Sequence, residues 1–420
     1  MRDFDVIVFG ATSFVGQIIA RYLATHYSHQ DNVKWALAGR NQDKLQNIVK
    51  ALPSKHNTKP SLIIADVNDN ASLIALCKRA KVVLSTVGPY AQFGEPVVRA
   101  CIECDTSYVD LTGEPQWIKA MLDLYSKAAS ESQAKLVNSC GFDSIPSDLG
   151  VYFLQQQSQL RFNKPCTNVA MRVRRIRGGA SGGTIASMLQ LVEEMGRDKS
   201  LRKKLANPYV LCPNNHRMSV RQPNIKKACF DDHTQRWIAP FIMAAINTRI
   251  VHRSNALLGN AYTDHFTYEE ALVTGKDTKG AMTGWMTTFG LGGFMVAASV
   301  KPLRGLMEKY WLPKPGEGPS EKAQQEGFFD IYFYGKTDEG DTLTVRVTGD
   351  KDPGYGSTAQ MIAEAAIKLA KSEKLQALPG GFYTPASCFK DALFGPLQEH
   401  AGLTFEEVTH TVAKTKVKST

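Results

Sequence analysis

Residues 4 to 16 constrain this chain more than any other stretch. Phe4-Asp5-Val6-Ile7-Val8-Phe9 is an apolar run of strand character, Gly10-Ala11-Thr12-Ser13-Phe14-Val15-Gly16 is a glycine-bounded turn, and an amphipathic helical pattern follows from about Gln17. A strand that turns tightly into a helix brings backbone N–H groups and the positive helix end to one point, which suits a pyrophosphate. Only the ends of the loop match a G-x-x-G-x-x-G pattern. Ser13 stands at the middle glycine position, where its hydroxyl is expected to donate to a phosphate oxygen. Gly10, Thr12, Ser13, Phe14, Val15 and Gly16 are therefore candidate cofactor contacts.

The strand-then-helix rhythm repeats. Strand patterns at 33 to 38, 62 to 65, 82 to 86, 108 to 109 and 135 to 138 alternate with helical patterns at about 42 to 51, 69 to 79, 93 to 104 and 115 to 130. Such alternation predicts a Rossmann-type, doubly wound parallel sheet covered on both faces. The end of the second strand then bears on cofactor choice. Ala38-Gly39-Arg40-Asn41 has no acid before Asp43, and an arginine there would clasp the 2′-phosphate of NADP, where an acid would hold a free ribose hydroxyl. Arg40 leads this expectation, with Lys44 as helper. Asp66, at the third strand's end, is read either as an adenine contact or as a helix N-cap.

After the fourth strand comes Ser85-Thr86-Val87-Gly88-Pro89-Tyr90. In a doubly wound sheet this position borders the nicotinamide half of a dinucleotide, so Thr86, Val87, Gly88 and Pro89 join the candidate contacts. Tyr90 is read as a proton donor or an aromatic wall. Two further proton candidates are Asp143, in Cys140-Gly141-Phe142-Asp143-Ser144, and Tyr355, in Asp352-Pro353-Gly354-Tyr355-Gly356. Asp143, Ser144 and Ser147 are also read as helix caps. A Tyr-x-x-x-Lys pair on a helix face is missing, because Tyr332 and Lys336 fall on a strand pattern. Hydride transfer itself asks for orientation and a proton source, since the cofactor carries the reactive group.

Several stretches resemble the saccharopine dehydrogenase-like oxidoreductases, in the branch holding trans-acting enoyl reductases of polyketide-lipid assembly and lipid-associated relatives. They are GATSFVG (10 to 16), AGRNQDKL (38 to 45), VGPYAQFGEPVVRAC (87 to 101), YVDLTGE (108 to 114), CGFDSIPSDLG (140 to 150), PGEGP (315 to 319), GDKDPGYGSTAQM (349 to 361) and GGFYTPAS (380 to 387). The resemblance spans nearly the whole chain. It implies an NADP-dependent reductase acting on a lipid or carrier-bound acyl chain. Two alternatives stay open, an oxidoreductase of a small amino or imino acid and a nucleotide-binding, lipid-associated protein without turnover.

At 420 residues and 43% apolar content the chain supports more than one domain. Residues 1–150 are expected to form the NADP-binding domain, 151–356 an α+β substrate domain with a mixed sheet, and 357–420 a C-terminal helix and tail packing back on the first domain. Phe329 to Tyr334 and Thr342 to Val347, about the turn 338 to 341, read as a hairpin.

The net charge of +10 is spread along the chain. In Met171-Arg172-Val173-Arg174-Arg175-Ile176-Arg177, strand alternation puts Arg172 and Arg174 on one face and Arg175 and Arg177 on the other. That run is read as a solvated sheet edge or a contact for an anionic carrier or headgroup. Nucleic acid is not expected, because aromatic interleaving and a binding motif are missing. No metal site is expected from the eight scattered cysteines, and with a strand starting at residue 4 the thiols are read as reduced and cytoplasmic. Residues 281 to 300 carry no charge and sit between Lys279 and Lys301. With the basic, amphipathic 303 to 312 they are read as a buried helix, a homodimer contact, a membrane span, or a peripheral membrane or acyl-chain contact over 281–312.

Overall fold

The computed structural model describes residues 2–27, 33–53, 59–178, 182–310 and 318–411. The strands are β1 (Phe4–Phe9), β2 (Trp35–Gly39), β3 (Ser61–Ile64), β4 (Ala80–Ser85), β5 (Ser107–Asp110), β6 (Lys135–Val137), β7 (Asn168–Arg177), β8 (Cys229–Asp231), β9 (Arg236–Pro240), β10 (Thr267–Gly275), β11 (Phe328–Lys336), β12 (Thr342–Gly349), β13 (Gly381–Tyr383) and β14 (Leu403–Thr411). They make two seven-stranded sheets, in the orders β13-β6-β5-β4-β1-β2-β3 and β14-β12-β11-β7-β10-β9-β8.

The first sheet is parallel throughout its recorded pairings, with the strand order of a doubly wound dinucleotide fold. Alternate residues of β1 feed opposite faces. Val6 and Val8 pack with Ile19 and Leu23 of helix Phe14–His26 and with helix Thr358–Lys371, while Ile7 and Phe9 pack with Leu73, Val97 and Trp117 of helices on the other side. Both faces are covered, so Val6 to Phe9 of β1 read as an unbroken apolar run.

The second sheet is mixed: β7 pairs parallel with β10 and antiparallel with β11, and β12 pairs antiparallel with both β11 and β14. Helix Ile145–Phe162 joins the two sheets. Its Gly150 is needed for close approach, since a side-chain carbon there would stand 2.4 Å from Phe333 of β11. The C-terminal segment serves both sheets, through helix Thr358–Lys371 and β13 on the first and β14 on the second. Residues 412–420 lie outside the described residues.

One sequence expectation is corrected here. A register shift in the β7·β11 ladder sets Val173 opposite Ile331 but Arg175 opposite Asp330, leaving Arg174 as an extra, bulged residue. The bulge reverses the alternation, so Arg172, Arg175 and Arg177 share one face. Arg172 is buried there and bonds Asp231 at 2.7 Å and Glu269 at 2.6 Å. Arg177 pairs with Glu326, and Arg174 lies over the Tyr332 ring at 5.0 Å. Most of the basic run is thus spent on internal contacts.

Candidate functional site

The turn after β1 is built by its own residues and by β4. Gly10 has φ +89°, in the left-handed region, and a side chain there would meet Thr86 Oγ1 at 2.7 Å and Val87 Cγ2 at 2.9 Å. Gly16 crosses Gly10 so closely that an added carbon would lie 2.4 Å from the Gly10 carbonyl oxygen. Ser13 caps helix Phe14–His26 by accepting from Gly16 N–H at 2.9 Å, and its hydroxyl pairs with Thr86 Oγ1 at 2.9 Å. Thr86 Oγ1 in turn donates to the Gly10 carbonyl at 2.9 Å. Here the Ser13 hydroxyl closes the turn, through Gly16 N–H and Thr86. The N–H groups of Thr12, Phe14 and Val15 donate to no described residue, and they lie at the first turn of the helix.

At the end of β2, Arg40 and Lys44 are exposed, and Asn41 caps the next helix by accepting from Lys44 N–H at 2.9 Å. Thr12 lies beside Gly39. Asp66 is not the N-cap of the third helix. Asp69 fills that role, while Asp66 accepts from the N–H and side-chain amide of Asn68 in a local turn.

On the opposite side, Val87 and Pro89 are half-buried and Gly88 is exposed. Tyr90 turns inward: its hydroxyl donates to the Ser85 carbonyl at 3.0 Å and accepts from Leu111 N–H at 3.1 Å, and its ring lies 5.4 Å from Trp117. Burial, reinforced by the Asp110 carboxylate, pushes this phenol well above its usual range. With both hydrogen bonds on backbone, Tyr90 is a strut, and the proton-donor expectation for it is corrected.

Sequence reasoning missed two carboxylates. Asp110, at the end of β5, accepts from Ser139 N–H, Thr112 N–H and the Asn138 amide, and burial pushes it up to about 6. Glu114 accepts from Tyr90 N–H at 3.0 Å, Ala91 N–H at 2.8 Å and the Ser187 hydroxyl at 2.6 Å. An acid at the end of an apolar strand pattern, as in Tyr108-Val109-Asp110, was the available signal. Asp143 is half-buried between Gly113 and Gly141, whose added carbons would each come within 3.3 Å of its carboxylate. Burial, followed by the nearby Asp110 and Glu114 charges, pushes Asp143 up to about 7 against the pull of its own N–H. No other described residue hydrogen-bonds its carboxyl.

Tyr355 is buried, with its ring edge-on to Phe14 at 4.8 Å and its hydroxyl accepting from Gly182 N–H at 2.7 Å. It ties the nucleotide-side turn to the start of helix Gly182–Arg197. That helix packs by Ile185, Leu189, Val192 and Met195 on Phe294, Met295 and Ala298 of helix Thr278–Ser299. The outer side of the latter is open: Met282 is 60%, Met286 67%, Phe289 70% and Val296 63% exposed. The buried-helix expectation for 281 to 300 is thus corrected for this face. Among the described residues no helix is long and apolar enough to cross a membrane. Trp311 and Leu312 of the proposed contact lie outside the described residues, as does most of 315 to 319.

Taken together, a doubly wound sheet, a helix-opening turn with unpartnered N–H groups and a carboxyl titrating near neutrality define a dinucleotide-dependent oxidoreductase. Residues 6–138 match the saccharopine dehydrogenase NADP binding domain. A trans-acting enoyl reductase from Mycobacterium tuberculosis is 35% identical over 410 residues, covering 94% of this chain and 96% of its own. A second M. tuberculosis protein, provisionally named a trans-acting enoyl reductase, is 37% identical over 402 residues, covering 93% and 94%. The apo saccharopine dehydrogenase (L-Glu forming) of Saccharomyces cerevisiae shares the fold, with a TM-score of 0.53 at 13% identity over 97% of this chain and 99% of that one. The chain belongs to the saccharopine dehydrogenase-like oxidoreductases, with trans-acting enoyl reductases among its relatives, and its cofactor is NADP. The residues present fit that group: free N–H donors stand at a helix start, and a strand-end arginine is flanked by no acid before Asp43.

Proposed function

We propose that this protein uses NADPH to reduce the carbon–carbon double bond of an enoyl thioester on a lipid or carrier-bound acyl chain. The observation that carries the reading is Asp143, a half-buried carboxyl pushed to about 7 beyond the carboxyl ends of β5 and β6, with no side chain hydrogen-bonded to it among the described residues. Thr12, Phe14 and Val15 offer their N–H groups to the pyrophosphate, Arg40 and Lys44 take the 2′-phosphate, and Thr86 to Pro89 border the nicotinamide. When bound, NADPH supplies the hydride for the carbon β to the thioester carbonyl. Asp143 gives its proton to the α carbon, leaving a saturated thioester, and is reprotonated from solvent. Tyr355 is spent on holding helix Gly182–Arg197.

The exposed stripe of helix Thr278–Ser299 supports an apolar partner for the substrate lobe. Its apolar residues repeat on one face, and Lys279 and Lys301 flank it, which suits an acyl chain at an anionic membrane surface. Oxidation of NADPH, followed by absorbance with enoyl thioesters of increasing chain length, tests the reading. Turnover that rises with chain length and collapses in Asp143→Asn is expected; turnover of imino acids alone would replace it.

A further inference from the structure

Glu114 sits at the meeting point of two elements that the chain places far apart. It is the residue before helix Pro115–Glu131, yet its side chain makes no capping bond to that helix. It turns instead to the backbone N–H groups of Tyr90 and Ala91, which open the short helix Tyr90–Phe93 directly after Thr86 to Pro89. The Ser187 hydroxyl, from the middle of helix Gly182–Arg197, supplies a third donor at 2.6 Å. A parallel tie runs from the Gln92 amide to Gln190 Oε1 at 3.0 Å, one helical turn further on.

We propose that Glu114 is a positioning residue that couples the nicotinamide-side segment to helix Gly182–Arg197. The inference rests on the assignment of Thr86 to Pro89 to the nicotinamide side. A carboxylate is suited to the task because it accepts several bonds at once, each charge-assisted. No cation accompanies it among the described residues; the three donors are its whole partnership. It is 1% exposed, so water does not replace a donor that is withdrawn. A shift of the segment on nucleotide binding is therefore transmitted to Ser187 and its helix. Because the opposite side of that helix carries the contact with helix Thr278–Ser299, the cofactor side and the apolar stripe are joined by one rigid bar.

The test uses the full chain and separates this coupling from turnover. Ser187→Ala removes one donor at a half-buried position, and Ser187→Thr keeps the hydroxyl. Amide hydrogen exchange is followed with and without NADPH. In the wild type and in Ser187→Thr, NADPH is expected to raise protection of residues 182–197, and in Ser187→Ala that rise is reduced, the Gln92–Gln190 tie remaining, while NADPH affinity stays within about threefold. With an active substrate, Ser187→Ala should lower kcat about tenfold with little change in KM, the pattern of misplaced reactants. Equal protection in Ser187→Ala and wild type, or no NADPH-induced protection of this helix in the wild type, overturns the coupling. Failure of enoyl turnover with the exchange pattern intact overturns the substrate reading alone.

Discussion

We propose Arg40 as the side chain on which cofactor choice turns. It is exposed at the end of β2, so a 2′-phosphate would gain a charge-assisted bond that a plain ribose lacks. Arg40→Ala should cost NADPH roughly 1.5–3 kcal/mol of affinity and leave NADH nearly unchanged; equal losses for both in titration calorimetry would remove Arg40 from the site. The glycines ask for a different experiment, because their hydrogen atoms face protein. Gly16→Ala would press a carbon against the Gly10 carbonyl at 2.4 Å, so about 1–3 kcal/mol of stability should go together with NADPH binding. An alanine variant that melts and binds like the wild type would show that the turn has slack. Asp143 predicts a pH profile. Only its protonated form donates, so kcat should fall as pH rises through about 7, and Asp143→Asn should lower the rate and abolish that limb.

Helix Thr278–Ser299 divides its apolar residues between two tasks, and substitution should separate them. Phe294 packs on helix Gly182–Arg197, whereas Met286 and Phe289 face out. Met286→Asp with Phe289→Asp should leave the melting temperature unchanged and reduce co-sedimentation with anionic vesicles, while Phe294→Asp should destabilise the fold. No vesicle binding by the wild type would end the membrane reading. The two classes were illegible in the sequence, because 281 to 300 is uncharged on every side, and its inner face is chosen by Ile185, Leu189, Val192 and Met195 and by β9 and β10, which Gly280 and Gly284 meet closely. The first sheet was legible for the opposite reason. Its strands β1 to β6 are local, mostly buried and separated by helices of ordinary length, so periodicity alone located them within a few residues. Pairings made over long sequence distances left no such trace: β13 and β14 join sheets whose other strands lie far upstream. The β7 bulge was hidden too, since Arg174 looks like any alternating position until Asp330 and Arg175 are seen opposite each other. At the site, backbone-forming residues were recognisable as a motif, but the partners of Ser13, Tyr90 and Glu114 depend on which turns meet in space.

For the molecule as a whole, buried acids set the direction in which stability changes with pH. Asp110 is pushed up to about 6, and Asp143, Asp148 and Glu270 up to about 7, each chiefly by burial. Since the unfolded chain loses these protons at ordinary carboxyl values, the stability they lend is fully present below about pH 4. It is lost as pH rises through 6 to 7. His252 works in the other direction. Burial, then Arg249 and His216, lowers it to about 3, and neither ring nitrogen has a hydrogen-bond partner among the described residues, so its contribution is lost as pH falls from about 6.5 toward 3. Above pH 6.5 the histidine no longer changes, and the acids set the slope, joined toward pH 8 by buried thiols that burial pushes up, such as Cys140. The melting temperature should therefore fall between pH 6.5 and 8, each acid contributing at most about 1.4 kcal/mol per pH unit. Glu270 allows the cause to be isolated. It accepts from Tyr268 at 2.8 Å and from the Asn247 amide at 3.0 Å, and Asn247 in turn bonds the hydroxyls of Ser144 and Ser147. Those two hydroxyls can reverse, so Asn247 can turn its amide to meet a glutamine. Glu270→Gln should accordingly keep the fold and flatten the decline in melting temperature from pH 6.5 to 8. A variant with the wild-type slope would place the ionisation cost on the other carboxyls, and a wild type whose stability rises over that interval would contradict the expected direction for the whole set of buried acids.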